Sequence, residues 1–122
     1  MTPLEACRRI EHVLHVQSLC HVNQVYKDGN TALILACKKK NEKIALKLLE
    51  RENININQVN KNVETALIWT CYNNMVLTAL KLLERKNINI NHKNYYGRTV
   101  LSYAFENNME SVIEKIKELQ KK

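Results

Sequence analysis

The sequence predicts an all-α fold built from a helix-turn-helix unit that repeats along the chain. First, similar segments recur at a spacing of 34 residues in a chain of 122, and a fixed period of this size is typical of repeat proteins. Second, the chain has two glycines and one proline, too few for an all-β protein with many tight turns. We expect one domain, because the length is too short for two conventional domains.

The repetition is visible at several places within each unit. Thr31, Thr65 and Thr99 lie 34 residues apart, and each is followed two residues later by Leu. The unit therefore occurs three times. Two longer blocks return at the same spacing: Ala45–Arg51 as Ala79–Arg85, and the sequence Asn-Ile-Asn-Ile-Asn at 53–57 and again at 87–91.

Each unit begins with a polar turn, which in the first unit is Tyr26–Asn30. Gly29 in that turn and Gly97 in the third unit can adopt a positive φ without steric cost. The middle unit has Val63 at the same position. We therefore expect a strained or reshaped turn in the middle unit, because a β-branched residue rarely adopts a positive φ.

A short helix follows each turn. Thr31, Thr65 and Thr99 precede this helix, and we expect each hydroxyl to act as an N-cap that accepts a hydrogen bond from a free backbone N–H. The connector after the helix is Asn73-Asn74 in the second unit and Asn107-Asn108 in the third. Asparagine tolerates the left-handed conformation, so these pairs predict a tight left-handed turn.

The second helix of each unit is predicted to be amphipathic. In the first unit, Ile44, Leu48 and Leu49 recur at helical spacing, while charged residues such as Lys47 and Glu50 occupy the opposite side. One such helix pair cannot bury its apolar faces alone. Stacking against neighbouring pairs must therefore complete the core.

The two ends of the repeat array differ from its middle. In the last unit, Glu114 and Lys117 replace leucines of the earlier units, which predicts a polar C-terminal cap. At the front, Thr2–Glu5 is a typical helix start, with a capping box and a proline in the first turn. We therefore expect a single domain over 1–122, with an N-terminal capping partial repeat at 1–22, full repeats at 23–56 and 57–90, and a C-terminal capping repeat at 91–122.

These features together resemble the ankyrin repeat. The turn and helix start in Asp28–Cys37, the pair Leu48-Leu49 and the ending Ile54–Asn57 all fall in register, although Ala32 replaces the usual proline. The resemblance covers about residues 23–122. It implies a solenoid of antiparallel helix pairs with projecting β-turn tips, which binds other proteins and performs no chemistry of its own.

The resemblance also implies that turn residues and exposed residues of the first helices contact the partner. Tyr95 and Tyr96 are the strongest candidates, because aromatic side chains with a hydroxyl provide a large contact area at small entropic cost. Alternatively, one of them covers the C-terminal cap. The full candidate set is Lys27, Asp28, Asn30, Lys38, Lys39, Lys61, Asn62, Glu64, Tyr72, Asn73, Tyr95, Tyr96, Arg98, Glu106 and Asn107.

The charge distribution leaves two kinds of partner open. The formal net charge is +7, and the run Lys38–Lys40 is either a solvated helix end or a contact for an acidic protein surface. Nucleic-acid binding is the alternative, but no nucleic-acid-binding motif is present and aromatic residues do not alternate along a basic stripe. We therefore expect a protein partner, with an acidic surface as the leading hypothesis.

Catalysis and metal binding have little support in the sequence. A Gly-rich phosphate loop, a nucleophile elbow and paired carboxylates are all missing, so we expect no catalytic residue and no cofactor. Cys37 and Cys71 occupy equivalent positions, where a small apolar side chain packs between helices. The remaining thiols and nearby imidazoles match no familiar zinc-finger spacing; they are Cys7, His12, His15, Cys20 and His21.

Composition suggests a compartment and a source. The N-terminal residues do not form a secretory signal, so we expect an intracellular protein, cytoplasmic or nuclear, that acts as a monomer. Abundant Asn, Lys and Ile are typical of AT-rich genomes such as those of large DNA viruses and some intracellular bacteria. A host-directed adaptor or inhibitor is therefore a hypothesis, and the sequence does not separate these two roles.

Overall fold

The computed structural model describes residues 22–121. This part of the chain contains three pairs of α-helices and no β-strand, and a 3-10 turn at Lys27–Gly29 precedes the first pair. The helices are α1 (Ala32–Lys38), α2 (Glu42–Leu48), α3 (Ala66–Tyr72), α4 (Val76–Leu83), α5 (Val100–Glu106) and α6 (Glu110–Gln120).

The helix pairs stack in chain order. The first helices form one layer, in which α1 packs on α3 and α3 packs on α5, and the second helices α2, α4 and α6 form the other layer in the same way. Within residues 22–121, each helix contacts only its own pair mate and its equivalents in adjacent pairs. The period in the sequence therefore corresponds to one step of this stack.

The core lies between the two layers. Leu33 and Leu67 in the first helices and Leu48, Leu82 and Ile116 in the second helices are at most 1% exposed. Burying one such side chain stabilises the fold by about 1.5–3 kcal/mol. These residues belong to one cluster of buried side chains that includes residues of all three helix pairs, so the apolar faces predicted from helical spacing form a core shared by the repeats.

The N-cap prediction is confirmed for two of the three threonines. Thr31 Oγ1 accepts from the N–H of Ile34 at 3.2 Å, and Thr65 makes the equivalent bond. Thr99 makes no side-chain cap bond, so the prediction is wrong in the third unit. The backbone explains the difference, because the N–H of Ser102, which the hydroxyl would bind, donates to the Thr99 carbonyl instead.

The predicted positive-φ turns are present. Gly29 has a φ of 80° and Gly97 a φ of 75°, and Val63 adopts 61° at the equivalent position of the middle unit. The connectors at Asn74 and Asn108 have φ values of 56° and 52°. Both predictions are therefore confirmed, including the strained turn at Val63.

The last helix has the expected polar outer side, because Glu114 and Lys117 are exposed on α6. The N-terminal helix start predicted at Thr2–Glu5 lies outside the described residues. No helix between residues 22 and 121 has both the length and the apolar character that crossing a bilayer requires.

Candidate interaction surface

The exposed residues of α1, α3 and α5, together with the turns that precede these helices, form one side of the stack, which we call the first-helix face. It contains most of the large hydrophobic side chains that the described residues expose: Tyr72 (57%), Tyr95 (78%), Tyr96 (80%) and Phe105 (52%). Exposed aromatic groups concentrated on one side are typical of an interaction site.

Three aromatic rings form a continuous row across this face. Tyr72 lies between Trp69 and Tyr103 and packs edge-to-face on both, with centroid distances of 5.3 and 5.7 Å. A cation lies over the ring at each end of this row. Lys38 Nζ is 5.7 Å from the centroid of the Trp69 ring, and the Arg98 guanidinium is 4.0 Å from that of the Tyr103 ring. We call these five side chains the aromatic row.

The repeat register explains how the row forms. Trp69 and Tyr103 are equivalent positions in consecutive units, and Leu35 is their counterpart in the first unit. Tyr103 is buried and Trp69 is half-buried against the core, which agrees with the framework position of this column. The row therefore consists of rings held by the core, with the exposed Tyr72 ring between them.

The connector asparagines 73 and 107 link adjacent repeats. Asn73 Nδ2 donates to the carbonyl of Cys37 at 2.7 Å, and Asn107 Nδ2 donates to the carbonyl of Cys71. Both side chains are half-buried. Their amide donors therefore satisfy the C-terminal ends of α1 and α3, and these two candidates have a structural role in the stack.

Hydrogen bonds also join the first two turns. Asn60 Nδ2 donates to Asn30 Oδ1 and to Glu64 Oε1, each at 2.9 Å, while the N–H of Lys61 donates to the Asp28 carbonyl at 2.7 Å. Asn30 is only 7% exposed. Burial removes this candidate from the surface that a partner can reach, and its side chain serves the turn instead.

Two buried asparagines that organise the second and third turns are absent from the predicted set. Asn60 Oδ1 accepts from the N–H groups of Asn62 and Glu64, and Asn94 Oδ1 accepts from those of Tyr96 and Arg98. The available signal was the recurrence of Asn at positions 34 residues apart. This network presents Tyr95 and Tyr96, whose rings pack edge-to-face at 5.6 Å.

Electric charge is distributed unevenly over the first-helix face. Lys27, Lys38, Lys39 and Lys61 are exposed, and no carboxylate within residues 22–121 forms an ion pair with them. In the third unit, by contrast, Arg98 pairs with Glu106 at 2.8 Å. The hydrogen bond with Glu106 raises the pKa of Arg98, so this cation stays charged but locally neutralised.

The two described cysteines are suited to packing and not to nucleophilic chemistry. Cys37 and Cys71 are each 0% exposed. Burial raises the pKa of Cys37 far above its usual range and that of Cys71 to about 12. Their burial confirms the packing prediction, and the raised pKa values disfavour the reactive thiolate at both positions.

The structure offers little for metal chemistry in its described part. Between residues 22 and 121, no cluster of three or more His, Cys, Asp or Glu side chains could hold a metal ion. The remaining candidates for a metal site lie outside the described residues; they are Cys7, His12, His15, Cys20 and His21.

Two grooves open on the opposite side of the stack, near the C-terminal ends of α2, α4 and α6. Their volumes are about 490 and 530 Å³, and both are lined by Glu84 and Arg85. Leucine and isoleucine side chains with lysines complete most of the lining, and neither groove is lined by a Ser, Cys or His side chain. Their polar lining therefore consists of Glu, Lys and Arg side chains.

Comparison with protein families matches the ankyrin repeat at residues 28–61. This segment comprises the second part of the first turn, α1, α2 and the start of the second turn, and the same helix pair recurs in α3–α4 and α5–α6. The match at residues 28–61 therefore supports an ankyrin-repeat protein. A search of curated proteins finds no match. Ankyrin repeats are in general protein–protein interaction modules and non-enzymatic.

Proposed function

We propose that this protein is a non-enzymatic binding module that holds a partner protein against its first-helix face and turn tips. The observation that supports the proposal is the aromatic row, in which the half-exposed Tyr72 ring is held between Trp69 and Tyr103. Exposed aromatic residues on rigid elements are the usual centres of binding energy in interfaces.

The mechanism follows from the rigidity of this face. Tyr103 belongs to the core, Trp69 packs against it, and Tyr72 packs edge-to-face on both rings, so few side-chain rotations are lost when a partner binds. Binding to a preorganised surface is favoured because less conformational entropy is given up. Shape and charge complementarity then determine the partner, and no bond is made or broken.

The proposal includes an architecture. We infer that the helix pairs form a short solenoid from which the turns project as tips, in one domain spanning 1–122 with capping units at 1–22 and 91–122. Helix contacts restricted to neighbouring pairs and the polar outer side of α6 support this arrangement.

Occupying a partner surface allows two biological roles. An adaptor would leave the partner active and connect it to another protein, whereas an inhibitor would cover the partner's functional surface. The composition typical of an AT-rich genome supports a host-directed target. Competition between this chain and the partner's other ligands would separate the two roles, since only an inhibitor displaces them.

Affinity capture tests the proposal directly. We would compare the native chain with Tyr72→Ala/Tyr95→Ala/Tyr96→Ala in nuclease-treated lysate at physiological salt, with Leu77→Ala as the matched control. Leu77 is a comparably exposed apolar residue, but it lies on α4, on the other layer. Circular dichroism would confirm that all variants fold.

We expect the triple variant to lose a protein that the native chain and the Leu77 variant both retain. Equal capture by all three would contradict the assignment of the binding face. If untreated lysate yields nucleic acid and no protein, the positive charge serves nucleic-acid binding instead.

A further inference from the structure

The first-helix face has a cationic end and an aromatic end. At the cationic end, formed by the first turn, α1 and the second turn, the exposed charged residues are Lys27, Lys38, Lys39, Lys40 and Lys61 against Asp28. The half-buried Glu64 is already bound by Asn60. Cations without ion-pair partners among residues 22–121 therefore dominate this end.

Exposed apolar area follows the opposite gradient along the stack. The residues from Ala32 to Cys37 in α1 are all buried, so this helix exposes no large apolar side chain. Tyr72 is exposed on α3, Phe105 on α5, and both Tyr95 and Tyr96 in the third turn. The aromatic end has fewer cations, because Glu106 pairs with Arg98 and the exposed lysines there are Lys93 and Lys117, the latter 5.3 Å from the Phe105 ring.

The two ends meet at Trp69, over which the Lys38 ammonium lies. A carboxylate that pairs with Lys38 would therefore lie beside the aromatic row. An apolar side chain a few residues further along the same segment could then reach Tyr72 and the third unit. One continuous segment can therefore contact both the cationic end and the aromatic end, since the row crosses three consecutive units.

We propose that the partner presents an extended segment with clustered carboxylates at one end and an aromatic or aliphatic anchor at the other. The carboxylates lie over Lys38 and Lys39, and the anchor packs against the exposed Tyr72 ring, from which the segment continues toward Tyr95 and Tyr96 in the third turn. This inference rests on the proposed binding function and specifies the chemistry and the orientation of the ligand.

The two ends contribute differently to binding. The exposed lysines of the cationic end attract an acidic segment from a distance and accelerate association, an effect that salt screens. Packing of an apolar side chain against the aromatic end slows dissociation, because apolar area is removed from water. Raising the salt concentration should therefore reduce the association rate more than it raises the dissociation rate.

Selection from a displayed library of random linear peptides tests the ligand chemistry without a known partner. We would select on the folded full chain and measure the affinity of enriched peptides for the native chain and two charge-reversal variants. Lys38→Glu/Lys39→Glu alters the cationic end. Lys43→Glu/Lys47→Glu is the matched control, because it makes the same change in net charge on exposed residues of α2.

We expect enriched peptides to combine an acidic cluster with an aromatic or aliphatic residue. Lys38→Glu/Lys39→Glu should weaken their binding by about tenfold or more, since two attractive contacts become repulsive. The α2 control should change binding by less than about threefold, because its charges lie on the second-helix layer and solvent screens them. Equal loss in both variants would show a net-charge effect and overturn the proposal.

Cross-linking tests the orientation. A photoreactive group placed at the acidic end of a selected peptide should label residues 27–40, and one at the apolar end should label residues 95–106. Labelling in the reverse order, or on α2 and α4, would overturn the orientation.

The outcomes also separate this inference from the general function. Enriched peptides that depend on Tyr72 but are neutral or basic overturn the acidic-segment proposal and leave the binding module intact. A selection that enriches no peptide excludes a linear ligand and overturns this inference alone. Peptides that bind equally well to the Tyr72→Ala/Tyr95→Ala/Tyr96→Ala variant overturn both proposals.

Discussion

At the residue scale, Val63 holds a backbone conformation that suits glycine better. Its φ is 61°, whereas the equivalent positions in the other two units are Gly29 and Gly97. The turn holds this conformation through two bonds, because the N–H of Val63 donates to the Asn60 carbonyl and the Val63 carbonyl contacts His92 Nε2 at 3.0 Å. The surrounding turn thus imposes the strain.

Val63→Gly should stabilise the protein. Relief of the left-handed conformation is worth about 1–2 kcal/mol, and the greater entropy of glycine in the unfolded chain offsets about 0.5–1 kcal/mol. We expect the free energy of unfolding in urea to rise by roughly 0.5–1 kcal/mol. Gly97→Ala is the control and should lower the free energy of unfolding, because alanine would have to adopt a φ of 75°. An added Cβ at this position meets no atom within 4 Å, so the backbone conformation alone would cause the loss. A destabilised Val63→Gly variant would contradict the strain.

Buried thiols couple stability to alkaline pH. The pKa of Cys71 is about 12 in the folded protein, and that of Cys37 is raised further, in both cases first through burial. An unfolded thiol titrates near 8.5. Because the pKa values are raised in the folded protein, the contribution of the thiols to the free energy of unfolding is fully present below about pH 8.5. This contribution is lost as the pH rises toward about 12.

We expect the free energy of unfolding to decrease between about pH 8.5 and 11 more steeply in the native chain than in Cys37→Ala/Cys71→Ala. Each thiol contributes a slope of at most about 1.4 kcal/mol per pH unit. Denaturant titrations at several pH values would measure both slopes. Identical slopes would show that these thiols ionise equally easily in the folded and unfolded chains.

At the element scale, Arg85 joins the C-terminal ends of two second helices. This residue follows α4, and its guanidinium donates to the carbonyls of Leu49 and Arg51, the latter at 3.0 Å, beyond the end of α2. Carbonyls at the end of a helix accept no hydrogen bond from the helix's own backbone. One side chain therefore satisfies the end of one helix from the next repeat.

Arg85→Met should lower the free energy of unfolding by about 1.5–3 kcal/mol, the range for hydrogen bonds that involve a charged group. Lys81→Met is the matched control. Lys81 lies 3.8 Å from Glu84 in an ion pair whose side chains are 60% and 62% exposed, and such pairs contribute about 0–1 kcal/mol. Urea unfolding would compare the two variants. Equal costs would mean that the bonds from Arg85 add nothing beyond a surface charge.

At the scale of the whole molecule, contacts between neighbours alone determine how stability is distributed. The middle pair, α3 and α4, packs against a helix pair on both sides, whereas among the helices of residues 22–121 α6 packs against α4 and α5 only. In a stack of this kind, stability is close to a sum of unit terms and nearest-neighbour interface terms. The last unit has fewer interface terms than the middle unit.

Native-state hydrogen exchange should therefore show slower exchange in α3 and α4 than in α6. Backbone amides followed by NMR would give the opening free energy of each helix. Ile116→Ala should increase exchange in α6 more than in α3, because the substitution removes a buried side chain from the terminal unit only. Uniform exchange across all helices would indicate a fully cooperative stack and contradict this distribution.

The sequence alone determined the features that depend on local backbone chemistry. The 34-residue period, the helix order, the left-handed positions at Gly29, Asn74 and Asn108, and the buried cysteines follow from propensity and helical spacing. These properties depend on residues close together in the chain. The sequence therefore predicted the class of fold and its units.

Only the tertiary structure decided which side chains meet between units. The aromatic row, the burial of Asn30 and the bonds from Asn73 and Arg85 each join residues of different repeats or turns. Such contacts depend on how the pairs stack, and a period in the sequence specifies that equivalent positions exist without specifying the distance between their side chains. The candidate binding face thus emerges from the stacking of the repeats.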